Sequence, residues 1–97
     1  MRIAQVIGTV TLSRCHPTFV GGSLRLCVPL SLQNLAIDAP LTAEELVVWD
    51  ELGAGIGSKI ALSEGAEAAQ PFRPHDKPVD AYNAAILDSI EIKLPQP

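Results

Sequence analysis

The chain predicts an all-β fold, a small five-stranded barrel with one short helix. Three features lead to it. Apolar and β-branched residues fall in short runs, and glycine, proline and polar clusters separate them. The 97 residues are 47% hydrophobic and 19% charged, too apolar for a disordered chain. A chain of this length buries only about two-thirds of the surface it exposes unfolded, which is enough for one modest core.

The first strand is expected from Arg2 to Leu12, with Ala4, Val6, Val10 and Leu12 on one face and Ile3 and Ile7 on the other. Pro17 to Ser23, with Gly21-Gly22, reads as a long hairpin loop. Leu24, Leu26, Val28 and Leu30 then alternate with Arg25, Cys27 and Pro29, a half-buried strand. Pro29 lacks an amide hydrogen and belongs at an edge or bulge. A polar stretch around Asn34 to Glu45 precedes the third strand, Leu46 to Trp49. The Gly53-Ala54-Gly55-Ile56-Gly57 run breaks that strand from the fourth, Lys59 to Leu62. Glu64 to Gln70 is alanine-rich and predicts the helical turns. Pro71, Pro74 and Pro78 hold a linker extended. The last strand is expected from Ala84 to Ile92, with Ile86, Ile90 and Ile92 on one face and Asp88 interrupting. The domain then covers 1–92, and 93–97 is a fraying tail.

Phe19, Trp49, Phe72 and Tyr82 are the four aromatic residues, so an aliphatic core is expected. Five short strands, a glycine-rich turn and one helix fit a barrel of the oligonucleotide/oligosaccharide-binding type. Several strands carry apolar residues on both faces, and in so small a chain the outer cover is expected from a neighbouring subunit.

The formal charge of −4 is split. Residues 1–37 carry Arg2, Arg14 and Arg25 with no acid, for +3; residues 38–97 carry four bases and eleven acids, for −7. Net acidity argues against nucleic acid, whose phosphates call for lysine and arginine. The split itself suits a head-to-tail contact between subunits. No run of about 18 apolar residues spans a membrane, and the first residues lack a secretion-type apolar stretch. The expected location is the cytoplasm.

Catalytic and metal chemistry find little support. A loop centred near residue 19 or 20 sets Cys15 opposite about residue 24 and Cys27 opposite about residue 12, out of register for a disulfide. Adjacent Cys15 and His16 point to opposite faces of a strand. Cys15, His16, Cys27 and His75 lack the paired spacing of a zinc site, so neither metal nor cofactor is expected. Glu44-Glu45, Asp50-Glu51, Asp76 and Asp80 read as solvated charges. The glycine run lacks the Gly-Lys-Ser/Thr ending of a phosphate loop. It marks positive φ or a close approach, to a ligand or to a symmetry mate, or else a plain tight turn.

Three blocks carry a family resemblance. Met1-Arg2-Ile3-Ala4-Gln5-Val6-Ile7-Gly8-Thr9-Val10, Asp50-Glu51-Leu52-Gly53-Ala54-Gly55-Ile56-Gly57, and Pro78-Val79-Asp80-Ala81 followed by Ile86-Leu87-Asp88-Ser89-Ile90 stand in order. Together they resemble the ethanolamine-utilisation/carboxysome pentamer family of bacterial microcompartment vertex proteins. Asn83 and Ala85 stand where that family usually has an aliphatic residue and a glycine. The resemblance implies an OB-like barrel assembled as a cyclic homopentamer. It also implies a structural, non-enzymatic role at the five-fold vertices of a shell of hexameric tiles. Gly53, Ala54, Gly55, Ile56 and Gly57 are then expected at the axis or a subunit contact. Arg2, Arg14 and Arg25 are expected against the next chain or a hexamer edge. The other reading is a small barrel that binds a ligand or nucleic acid, for which Trp49 is the lone stacking residue.

Overall fold

In a computed structural model, which describes residues 1–75 and 77–95, the β-branched opening run forms β1 (Arg2–Val10). β2 (Leu24–Pro29), α1 (Leu32–Ala36), β3 (Leu46–Trp49), β4 (Lys59–Glu64) and β5 (Ala81–Ile86) follow. The strands close into a barrel in the order β1-β2-β3-β5-β4. β1 makes closure possible because it serves two neighbours. Its first half pairs with β4 from Arg2↔Leu62 to Gln5↔Lys59, and its length pairs with β2 from Ala4↔Pro29 to Val10↔Leu24. A register shift between Val6 and Gly8 bends the strand between them.

Pro29 ends β2 two residues beyond the last β3 pair, Cys27↔Leu46. The next amide, Leu30 N, points to β1 and donates to Ile3 O at 2.8 Å. The missing proline N–H would therefore face away from β1, where β3 has already ended. No ladder bond is lost.

Inside the barrel, Ala4, Val6, Cys27, Val48, Ala54, Ile60, Leu62 and Ala81 form the aliphatic core. The aromatic residues build a second cluster, which the composition did not suggest. Phe19, Trp49, Phe72 and Tyr82 form a chain of edge-to-face contacts with centroids 5.4, 5.3 and 5.5 Å apart. Lys77 Nζ sits 4.5 Å from the Trp49 ring centre and 4.8 Å from that of Phe72. Trp49 is only 4% exposed. It fills this cluster and offers no face for a base to stack on.

The helices and the last strand differ in detail from expectation. A short α-helix lies at Leu32–Ala36, overlapping the start of the stretch read as polar. Ser31 and Asn34 cap it reciprocally, and Asn34 Nδ2 also donates to Ala39 O and Pro40 O at 3.0 and 2.9 Å. The alanine-rich Gly65–Phe72 segment does form helical turns, wound as a 3-10 helix with Pro71 inside it. The last strand is Ala81–Ile86, not Ala84–Ile92, since its partner β4 begins at Lys59 and the ladder runs out at Ile60↔Ile86.

The first hairpin also differs. β1 stops at Val10, leaving Leu12 exposed, and the connection runs from Thr11 to Ser23 with a 3-10 turn at Pro17–Phe19. Cys27 therefore lies opposite Val6, and Leu24 opposite Val10. Both cysteines are free, Cys15 exposed and Cys27 buried. Of the expected tail, Gln96 and Pro97 lie outside the described residues, as does Asp76.

At the exposed seam between β1 and β4, Arg2 Nε and Nη2 donate to Glu64 Oε2 and Oε1 at 2.8 and 2.6 Å. These hydrogen bonds hold the Glu64 carboxyl below the usual glutamate range and raise Arg2. Gly22 is packed for a different reason: a Cβ there would meet the Trp49 ring at 2.4 Å. Phe19 and Phe72 flank that ring, so it has no room to swing. Gly22→Ala is therefore expected to destabilise the barrel by about 1–3 kcal/mol, measured by urea unfolding with Trp49 emission as the probe.

Candidate functional site

The loop from Asp50 to Ser58 leaves the end of β3 and enters β4. It is held at three points. The first is Asp50, 2% exposed, whose side chain turns back under the loop. Its Oδ1 accepts from Leu52 N at 3.0 Å and from Asn83 Nδ2 at 2.9 Å; its Oδ2 accepts from Ala54 N at 2.8 Å. Arg25 Nε lies 3.4 Å from Oδ2 and donates to Ala54 O at 2.8 Å, while Arg25 Nη1 donates to Ser23 Oγ at 2.7 Å. The carboxylate thus has three hydrogen bonds and a cation, which makes its burial tolerable. The second point is Ala54, whose methyl group belongs to the barrel core. The third is Gly57, whose N–H donates to Val6 O at 2.8 Å.

Between these anchors the tip is solvent-exposed. Ile56 is 73% exposed, among the most exposed large apolar side chains. Gly53 and Gly57 have φ of +78° and +91°, so local backbone geometry already requires glycine there. Gly55 differs. Its φ is not in the left-handed region, and a Cβ added to it would meet nothing within 4 Å. Nothing inside its own chain explains a glycine at Gly55.

Asp50 is not the solvated charge expected from sequence, because Asn83 and Arg25 enclose it. The signal available in sequence was the aspartate before a Leu-Gly-Ala segment, a residue type that bonds amides two and more positions ahead. Asn83 is fully buried and supplies one of the three donors. Its Oδ1 also accepts from Ala85 N at 3.2 Å. Glu51 is exposed yet engaged, accepting from Trp49 Nε1 at 3.1 Å and from Tyr82 Oη at 3.2 Å. Burial, and then this bond to Glu51, push the Tyr82 phenol above its usual range.

The three arginines separate. Arg25 lies beneath the loop, and Arg2 pairs with Glu64 of its own chain. Arg14 is exposed and makes no ion pair among the described residues. Cys27 sits in the core, where burial, then the nearby Asp50 charge, pushes its thiol up to about 11. Among the described residues no group of three metal-ligating side chains comes together, and none of the helices is long and apolar enough to cross a membrane. The geometry offers a loop anchored at both ends with an exposed apolar tip.

Residues 1–88 match the family described as ethanolamine utilisation protein EutN/carboxysome. The chain is 34% identical over 90 residues to the carboxysome shell vertex protein CcmL of Thermosynechococcus vestitus, covering 93% of this chain and 86% of that one. It is 29% identical to the bacterial microcompartment shell vertex protein PduN of Salmonella typhimurium, covering 93% and 98%. The structure of the GrpN pentameric microcompartment shell protein from Rhodospirillum rubrum superposes with a TM-score of 0.79 at 27% identity, over 96% and 100% of the two chains.

Two measurements check the site. Asp50→Ala strands the Arg25 charge and the Asn83 amide and is expected to cost about 3–5 kcal/mol, with Asp50→Asn costing less, by chemical denaturation. At pH 8 a thiol of pKa about 11 is only about 0.1% ionised. Peptide mapping after alkylation should therefore find Cys27 unmodified until the protein is denatured.

Proposed function

The chain belongs to the ethanolamine utilisation protein EutN/carboxysome family, and from that membership we propose that it is a structural shell protein. Its copies close into a homopentamer that caps the vertices of a bacterial microcompartment. The observation that carries this reading is the match to PduN, a bacterial microcompartment shell vertex protein, over 93% of this chain and 98% of that one. Its role is one of shape, without a catalytic step. Hexameric tiles lie flat, and a sheet of them closes only where five-fold units replace six-fold ones. A heterologous interface whose rotation closes at the fifth copy supplies such a unit.

The exposed loop tip supports a contact between copies. Gly53 and Gly57 are explained by their backbone angles, whereas Gly55 is explained by a neighbour that comes too close for a side chain. We assign Gly53, Ala54, Gly55, Ile56 and Gly57 to the axis or subunit contact on that ground. Arg25 then acts by holding the loop, and Arg14, with the outward side of the Arg2–Glu64 pair, meets the acidic part of the next chain or a hexamer edge. Five chains carry five times −4, or −20, which favours basic tile edges as partners over nucleic acid or an anionic membrane surface.

Native mass spectrometry is expected to show five times 10.3 kDa, about 51.5 kDa. Co-expression with a hexameric shell protein should turn open sheets or tubes into closed particles; a wild-type monomer, or sheets unaffected by its presence, would count against the role. Gly55→Val should leave the unfolding free energy of the barrel within about 0.5 kcal/mol while depleting the five-chain species. A pentamer untouched by that change removes Gly55 from the contact.

A further inference from the structure

Beyond β5 the chain carries a strand pattern that it does not use. Ile86, Ile90 and Ile92 share one face of the segment expected to be extended, and Leu94 continues it. The ladder nevertheless stops at Ile60↔Ile86, followed by one last bond, Leu87 N to Lys59 O at 2.8 Å. Among the described residues no backbone hydrogen bond joins 88–95 to the barrel. None of these residues enters either core cluster. Ile92 is 38% exposed and Leu94 47%. The molecule is long for its size, 52 × 26 × 22 Å with a radius of gyration of 14.5 Å, against about 12.5 Å for a compact chain of this length.

A second apolar surface lies uncovered on the barrel. On the outer face of β2 and β3 the cross-strand pairs are Leu24↔Trp49 and Leu26↔Val47. The first pair is covered by the aromatic cluster. The second is not, and Val47 is 44% exposed. Beside it opens a pocket of about 200 Å³ whose lining includes Leu12, Leu24, Val47, Trp49 and Val79. That volume takes one or two aliphatic side chains.

We propose that residues 91–95 form an interchain arm, laying Ile92 and Leu94 of one copy on the outer β2–β3 face of the next, at Leu26, Val47 and this pocket. The proposal rests on the pentamer reading and specifies how the ring is held. A second copy is the occupant for two reasons. The arm springs from the groove lined by Gly57, Ser58, Lys59, Leu87, Asp88 and Ile90, so it is continuous with the loop assigned to the subunit contact. In addition, an uncovered ridge and an uncovered socket at different places on one chain make a heterologous pair. In a closed ring every copy satisfies both, leaving neither of these two surfaces exposed.

The test uses the full chain. The paired change Ile92→Asp with Leu94→Asp, and separately Val47→Asp, should raise the concentration at which pentamers dissociate at least tenfold in native mass spectrometry. All three positions are exposed in one copy, so the thermal midpoint of the separated barrel should stay unchanged. A photoreactive benzoylphenylalanine at position 92 should cross-link to β2 or β3 of another copy, in peptides containing Leu26 or Val47. This readout also decides the matter if an aspartate variant fails to fold. Pentamers unaffected by the variants, or cross-links confined to the arm's own chain, would overturn the arm and leave the pentamer standing. A wild-type chain that stays monomeric would overturn both.

Discussion

The seam between β3 and β5 is the constraint on which the rest depends. All other neighbouring strands share ladders of several pairs, but these two run parallel and meet at a single pair, Trp49↔Tyr82. One backbone contact does not hold a barrel shut. Side chains make up the difference. Just past the pair, Asp50 accepts from Asn83 across the seam, and Glu51 takes a hydrogen bond from Trp49 on one strand and Tyr82 on the other. The aromatic chain packs behind them. Barrel closure and the glycine loop therefore share one anchor, because the carboxylate that ties β3 to β5 also holds Ala54 and Leu52.

This coupling makes the loop a suitable contact element. A tip that projects an apolar side chain into water has no reason of its own to keep one shape. Here the tip is short, and the residues on either side are bonded to the core, so little conformational entropy is left to lose on docking. The surface beyond it follows the same logic. Ile56, Val47 and the Ile92–Leu94 stretch are apolar and uncovered, in a chain too small to wrap both faces of its own sheet. In the proposed ring a neighbouring copy supplies the missing layer. Function is then geometry repeated, and the identity of the chain lies in which surfaces it leaves bare.

Much of this was legible in the residues, and the failures have particular causes. Leu46–Trp49 was placed at both ends, and β1, β2 and β4 within a few residues, since alternation and β-branching act locally. The glycine loop was legible as a loop, and its anchor was not. Asp50 looks like any surface aspartate until folding sets Asn83, thirty-three positions away, against it. The alanine-rich turns are legible from propensity, whereas the short α-helix at Leu32–Ala36 rests on the quieter capping exchange between Ser31 and Asn34. The four aromatic residues were too few to suggest a cluster, yet they come from the first connection, β3, the 3-10 segment and β5, which only the closed barrel brings together.

By itself, the sequence determined the class of the fold, the short strands and their order along the chain, the glycine break and the family to which the pattern belongs. These follow from period, propensity and local turn chemistry, properties of neighbouring residues. Only the tertiary structure decided which groups meet: Asp50 with Asn83 and Arg25, Gly22 with Trp49, and β5 with a β4 that begins too late to pair the last two-thirds of the predicted strand. Those outcomes depend on register and closure, which are set by the whole chain and leave no trace in any one segment.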